Sequence, residues 1–133
     1  MNGIVFEGTV VDGDHLGRTI GFPTANLQTA KDMEIPAGVF ACRVVLPSGT
    51  VCQAMMNVGY RPTVNLGKDL RVEVHLLGFD GDLYGQTLRV EIVDFVRGEQ
   101  KFDGIEALRA QLCRDRLAVQ KRLEMKNHTS KKA

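Results

Sequence analysis

Thr24 and Asn26 stand one residue apart in the stretch GFPTANL, Gly21 to Leu27, behind Pro23. Proline fixes its own φ near about −65° and keeps the preceding Phe22 extended, so this stretch resists coiling into a helix. In an extended arm alternate side chains share a side, which sends Thr24 and Asn26 the same way with Ala25 between them. Two neutral oxygen donors on one side suit a hard cation that keeps most of its water and binds mainly through phosphate oxygens, the habit of Mg²⁺ in phosphoryl transfer. The same pair also suits a turn in which the hydroxyl and the amide satisfy backbone groups.

Two further stretches carry candidate chemistry. In RVEVHLL, Arg71 to Leu77, alternation sets Val72, Val74 and Leu76 on one face and Arg71, Glu73, His75 and Leu77 on the other. A core against the first face leaves Glu73 and His75 looking onto a cleft or onto solvent. His75 reads as an ordinary outward polar residue, because the three scattered histidines offer neither HxH nor HExxH spacing. The loop DGDHLGR lets backbone approach a ligand at Gly13 and Gly17, with Arg18 a candidate phosphate partner. It is neither GxGxxG nor a Walker A sequence.

These residues need rigid elements to hold them. GIVFEGTVV is rich in β-branched residues and breaks at Asp12-Gly13, as a strand entering a turn does. GVFACRVVLPSGTVCQAMMNVG divides at Pro47-Ser48-Gly49, which predicts a hairpin, and LRVEVHLLGF and QTLRVEIVDFVR supply further strands. From Asp103 the rhythm changes. Ile105, Leu108, Leu112, Val119 and Leu123 fall at helical spacings, and Asp103 with Glu106 resembles a capping box. The spacing predicts a helix of about five turns. Residues 1–125 then make one domain and 126–133 a disordered or frayed polar tail. Short strands followed by a single helix predict a mainly β antiparallel barrel with the helix packed on its side or mouth.

Bulk composition narrows the function classes. At 133 residues the chain fits one domain able to bury a core without disulfides or a structural metal. Its net charge of +1, from 17 basic and 16 acidic residues, provides no field to attract nucleic acid or an anionic membrane. With only two tyrosines and six phenylalanines, a stacking groove for single-stranded nucleic acid is disfavoured too. No apolar run approaches a bilayer span, and no signal-like N-terminus is present, which points to a soluble cytoplasmic protein. Cys42, Cys52 and Cys113 show no CxxC spacing and read as reduced, buried structural thiols.

The ordered set GRTIGFPTANL, GVFACRVV, NVGYRPTV, EVHLLGFDGDLYG and RVEIVDFVRGEQKFDGIEALRAQLCRD resembles the riboflavin kinase (flavokinase) family, from about Gly8 to Leu117. That resemblance implies a six-stranded antiparallel Greek-key barrel with a C-terminal α-helix. It also implies ATP-dependent phosphorylation of the ribityl 5′-hydroxyl of riboflavin, giving FMN and ADP with Mg²⁺ assistance. Under it Thr24 and Asn26 hold the metal, and Gly13, Gly17, Arg18, Gly21 and Pro23 join them around the nucleotide. Glu73 is the general base, and Arg97, Glu99 and Phe102 enclose the flavin. Leu108 and Leu112 can cover the ring or serve simply as core.

Two positions depart from the family pattern. Gly78 stands where an aspartate is usual, and Gly98 replaces a proline, which predicts a looser flavin-side loop. The adenylyltransferase half of bifunctional relatives is not in these residues, so the chain is read as a stand-alone kinase or as a module separated from an FAD synthetase domain. The rival reading is a non-catalytic flavin- or nucleotide-binding sensor of the same fold.

Overall fold

The computed structural model describes residues 3–11, 21–30, 33–62, 64, 67–79 and 81–132, without the side chains of Pro62 and residues 126–132. The glycine loop with Gly13, Gly17 and Arg18 lies outside them. Six strands and one helix follow in order: β1 (Val5–Val11), β2 (Ala25–Gln28), β3 (Gly38–Val45), β4 (Val51–Pro62), β5 (Lys68–Leu76), β6 (Thr87–Arg97) and α1 (Ile105–Lys132). The strands close into a barrel in the order β1-β2-β5-β4-β3-β6, and every neighbouring pair is antiparallel. Strands β3, β4 and β5 follow one another across the sheet and β6 returns beside β3, a Greek-key path. Closure removes free sheet edges, leaving the walls and ends of the barrel for function.

Alternation decides what fills the inside. Val72, Val74 and Leu76 point inward and join Phe40, Cys42, Val44, Met56, Val58, Leu88, Val90 and Ile92 in the barrel core. Cys42 is buried, and burial pushes its thiol well above the usual range, with the Glu91 carboxylate adding to the effect. A thiol so held contributes almost no reactive thiolate at neutral pH. Cys52 and Cys113 are only half-buried, where the sequence reading expects buried structural thiols.

A second apolar cluster lies outside the barrel, where Val119 and Leu123 of α1 cover Val39, Ala41, Met55 and Val93. The helix therefore lies on the wall of the barrel. It begins at Ile105, the first residue of the predicted spacing, and the Leu108 N–H donates to the Gly104 carbonyl at 3.1 Å, which puts Gly104 rather than Asp103 at the cap. Glu106 accepts from Arg109 at 3.0 Å, so its carboxylate serves an i,i+3 pair. Ile105 is 49% exposed and does not join the apolar face. The helical backbone extends to Lys132, beyond the five turns expected and through most of the stretch read as a tail.

Gly38, where β3 begins, has φ +145°, and a Cβ there would sit 2.5 Å from the Arg97 carbonyl oxygen and 2.8 Å from the Phe95 ring. Only glycine lets β3 and β6 meet this closely beside Arg97. Gly38→Ala is expected to cost about 2–4 kcal/mol, seen as a lower urea midpoint with an unchanged m-value. Gly78, by contrast, has φ +73° and open space around it. That left-handed turn favours glycine and tolerates aspartate, so the departure from the family's Asp is conformationally benign.

Candidate active site

On the outer wall of the barrel, register aligns one lateral row across five strands. Asn26 pairs with Glu73, Glu73 with Asn57, Asn57 with Val39, and Val39 with Arg97. Paired positions on neighbouring strands project to the same face, about 4.5–5.5 Å apart at Cβ. Glu73 thus stands between two amide side chains, on a strand buried on its other face. The next row, His75, Met55, Ala41 and Asp94, is apolar in its middle and lies under the helix. Arg122 closes that edge by donating to Asp94 Oδ2 at 3.0 Å and to the Phe95 carbonyl at 2.8 Å.

Where the helix leaves the polar row uncovered, a cavity of about 330 Å³ remains. Its strand side presents Thr24, Asn57, Arg61, Glu73, His75 and Arg97, and its helix side presents Phe102, Leu108 and Leu112. One wall can cover a flat apolar group while the other offers a carboxylate, a hydroxyl and cations. Leu108 and Leu112 also pack on the outer apolar cluster, so they are core and cavity wall together.

The residues singled out from sequence fall in distinct places. Glu73, Thr24, Arg97 and Phe102 line the cavity. Asn26 stands beside Glu73 in the ladder without belonging to the lining described. Glu99 instead reaches across β4, its Oε1 resting where a Cβ on Gly59 would approach to 2.9 Å. Gly21 and Pro23 are exposed at the base of the arm, Gly21 with φ +91°.

Arg97 has most of its donors already engaged. Its Nε and Nη2 donate to Asp115 Oδ1 and Oδ2 at 2.9 and 2.7 Å, and its Nη1 donates to the Gly98 carbonyl at 3.0 Å. Gln111 adds a bond to Asp115 Oδ1 at 2.9 Å. Asp115 is buried, and the bidentate pair ties the end of β6 to the helix. The Arg97 guanidinium also lies 5.8 Å from the centre of the Phe102 ring, which positions both flavin-side candidates together.

Three residues at this site escape the sequence reading: Asn57, Arg61 and Asp115. Asn57 and Arg61 share a parity on β4, so both face the cavity; the apparent strand end at Gly59 hid this, since β4 runs on to Pro62. His75 is not the ordinary outward residue expected but is 9% exposed. Among the described residues, no group of three or more His, Cys, Asp or Glu side chains can hold a metal. A hydroxyl, an amide and one carboxylate fit only a hard cation that takes most of its ligands from water and phosphate.

The closed barrel thus carries under its lateral helix a half-apolar, half-polar cavity, the kind of lining that small-molecule sites have. The riboflavin kinase (Flavokinase) family model matches residues 2–123. A bifunctional riboflavin kinase/FMN adenylyltransferase from Haemophilus influenzae is 42% identical over 108 residues, 81% of this chain and 35% of that protein. The crystal structure of a macrolide-efflux protein from Streptococcus pneumoniae superposes with a TM-score of 0.82 at 35% identity, covering 89% of this chain and 38% of that one. Riboflavin kinase from Trypanosoma brucei shares the fold, with a TM-score of 0.66 at 22% identity over 93% of this chain and 82% of that one. The chain belongs to the riboflavin kinase family. It spans about a third of the length of the curated bifunctional relatives it matches. Among the described residues, no helix is long and apolar enough to cross a membrane.

Proposed function

We propose that this chain transfers the γ-phosphoryl group of ATP to the 5′-hydroxyl of riboflavin's ribityl side chain, giving FMN and ADP. The observation that carries this reading is the single row that joins Asn26 of the nucleotide arm, the Glu73 carboxylate and Arg97 of the flavin side. Phosphoryl transfer asks the protein chiefly to align two substrates and to stabilise charge, which a rigid row on a barrel wall can do.

Glu73 accepts the proton of the 5′-hydroxyl as its oxygen forms a bond to the γ-phosphorus, and the bond from that phosphorus to the ADP oxygen breaks. Thr24 and Asn26 hold the phosphate end of the nucleotide, together with Mg²⁺. When bound, Mg²⁺ supplies charge neutralisation on the phosphate oxygens. Phe102, Leu108 and Leu112 exclude water over the isoalloxazine ring, and Arg97, fixed by Asp115, sets the position of that wall. Gly13, Gly17 and Arg18 belong to the nucleotide's surroundings in the same reading.

The test is incubation of the purified chain with riboflavin, ATP and Mg²⁺, followed by chromatographic separation of the flavins. FMN formation that requires both ATP and Mg²⁺ is the expected result. A folded chain that binds riboflavin yet makes no FMN would overturn the reading in favour of a flavin sensor.

A further inference from the structure

His75 has a partner that explains its burial. Its Nδ1 lies 2.7 Å from the Pro23 carbonyl oxygen, and because a carbonyl only accepts, Nδ1 carries the proton and donates. The ring also meets Phe22, with centroids 5.3 Å apart at 58°. On the helix side the Arg116 guanidinium lies 5.3 Å from the centre of the Phe22 ring. Phe22 and Pro23 are therefore gripped from both strand and helix.

This grip falls where the sheet provides none. The ladder between β2 and β5 begins at Ala25 opposite Val74, and Pro23 has no N–H with which to extend it. Thr24, at the cavity, is joined to the ladder on one side and to the clamped carbonyl on the other. We propose that His75 is a positioning residue whose Nδ1–H, by clamping the Pro23 carbonyl, holds the Thr24 hydroxyl ready beside Glu73 for the nucleotide's phosphate end. This rests on the phosphotransfer reading above. Without the clamp, the arm must be ordered when the nucleotide binds, and that ordering weakens nucleotide affinity alone.

The choice of substitutions separates this role from simple packing. The amide nitrogen of Asn reaches roughly the place of Nδ1, whereas that of Gln reaches the place of Nε2. His75→Asn, His75→Gln and His75→Leu are compared for amide hydrogen exchange at residues 24–26 without ligand, for Mg·ATP binding by calorimetry, and for riboflavin binding by fluorescence. Gln and Leu are expected to speed exchange and weaken Mg·ATP binding roughly three- to tenfold, with a raised KM for ATP, a smaller change in kcat and riboflavin affinity unchanged. Asn is expected to restore all of these to within about twofold of the parent.

Equal losses for both ligands in all three variants, or Gln and Leu proteins that exchange and bind Mg·ATP like the parent, would overturn the proposal while leaving an active parent's phosphotransfer intact. A parent that does not bind Mg·ATP would overturn both. If the Leu variant does not fold, the contrast between Asn and Gln decides.

Discussion

Glu73→Gln is expected to lower kcat by about 10²–10⁴ while leaving affinity for riboflavin and Mg·ATP within a few-fold of the parent. The substitution is nearly isosteric, and the backbone register that sets residue 73 beside Asn26 and Asn57 does not depend on the side chain. What it removes is the capacity to take a proton. Phosphoryl transfer gives the protein few other covalent tasks, so the loss should appear in kcat rather than KM. The amides on either side provide an internal control. Asn57→Ala removes a neighbour of Glu73 without removing the proton acceptor, and its effect on kcat should be much smaller. Initial-rate assays on both variants check the order, and a Glu73→Gln protein with parental turnover would remove Glu73 from the chemistry.

The candidate site was partly legible in the sequence because strands announce themselves by alternation. Val72, Val74 and Leu76 facing inward put Glu73 outward without any knowledge of the partner strands. Proline chemistry likewise marked the arm carrying Thr24 and Asn26. Register was hidden, because it depends on which strands become neighbours, and here β2 pairs with β5 across an intervening hairpin. Only that pairing brings Asn26 beside Glu73. His75 was misread because outward-facing on a barrel ordinarily means exposed, whereas here the arm's Phe22 and Pro23 meet its ring. Asp115 gave no local signal, since an aspartate amid basic residues on an amphipathic helix looks like one more solvated charge. Its partner is 18 residues away, at the end of β6.

Breaking that partnership is the second large effect. Asp115 is 2% exposed, and its carboxylate accepts from both Arg97 and Gln111. Asp115→Ala would leave the Arg97 guanidinium, itself only 19% exposed, without its buried counter-charge. Removing one partner of a buried ion pair costs about 3–5 kcal/mol, a sizeable share of the roughly 5–15 kcal/mol that holds a domain of this kind together. Tm is expected to fall by about 10–20 °C. The double substitution Asp115→Leu with Arg97→Met should recover much of that loss, because replacing both charges with apolar groups avoids the orphaned cation. Its KM for riboflavin should stay elevated if the pair also sets the flavin-side wall, since the link between the end of β6 and the helix beside Phe102 is gone. Thermal unfolding and riboflavin titration of the three proteins separate the two roles. Recovery of both stability and KM in the double variant would make the pair purely structural, whereas recovery of stability alone would tie it to the flavin site.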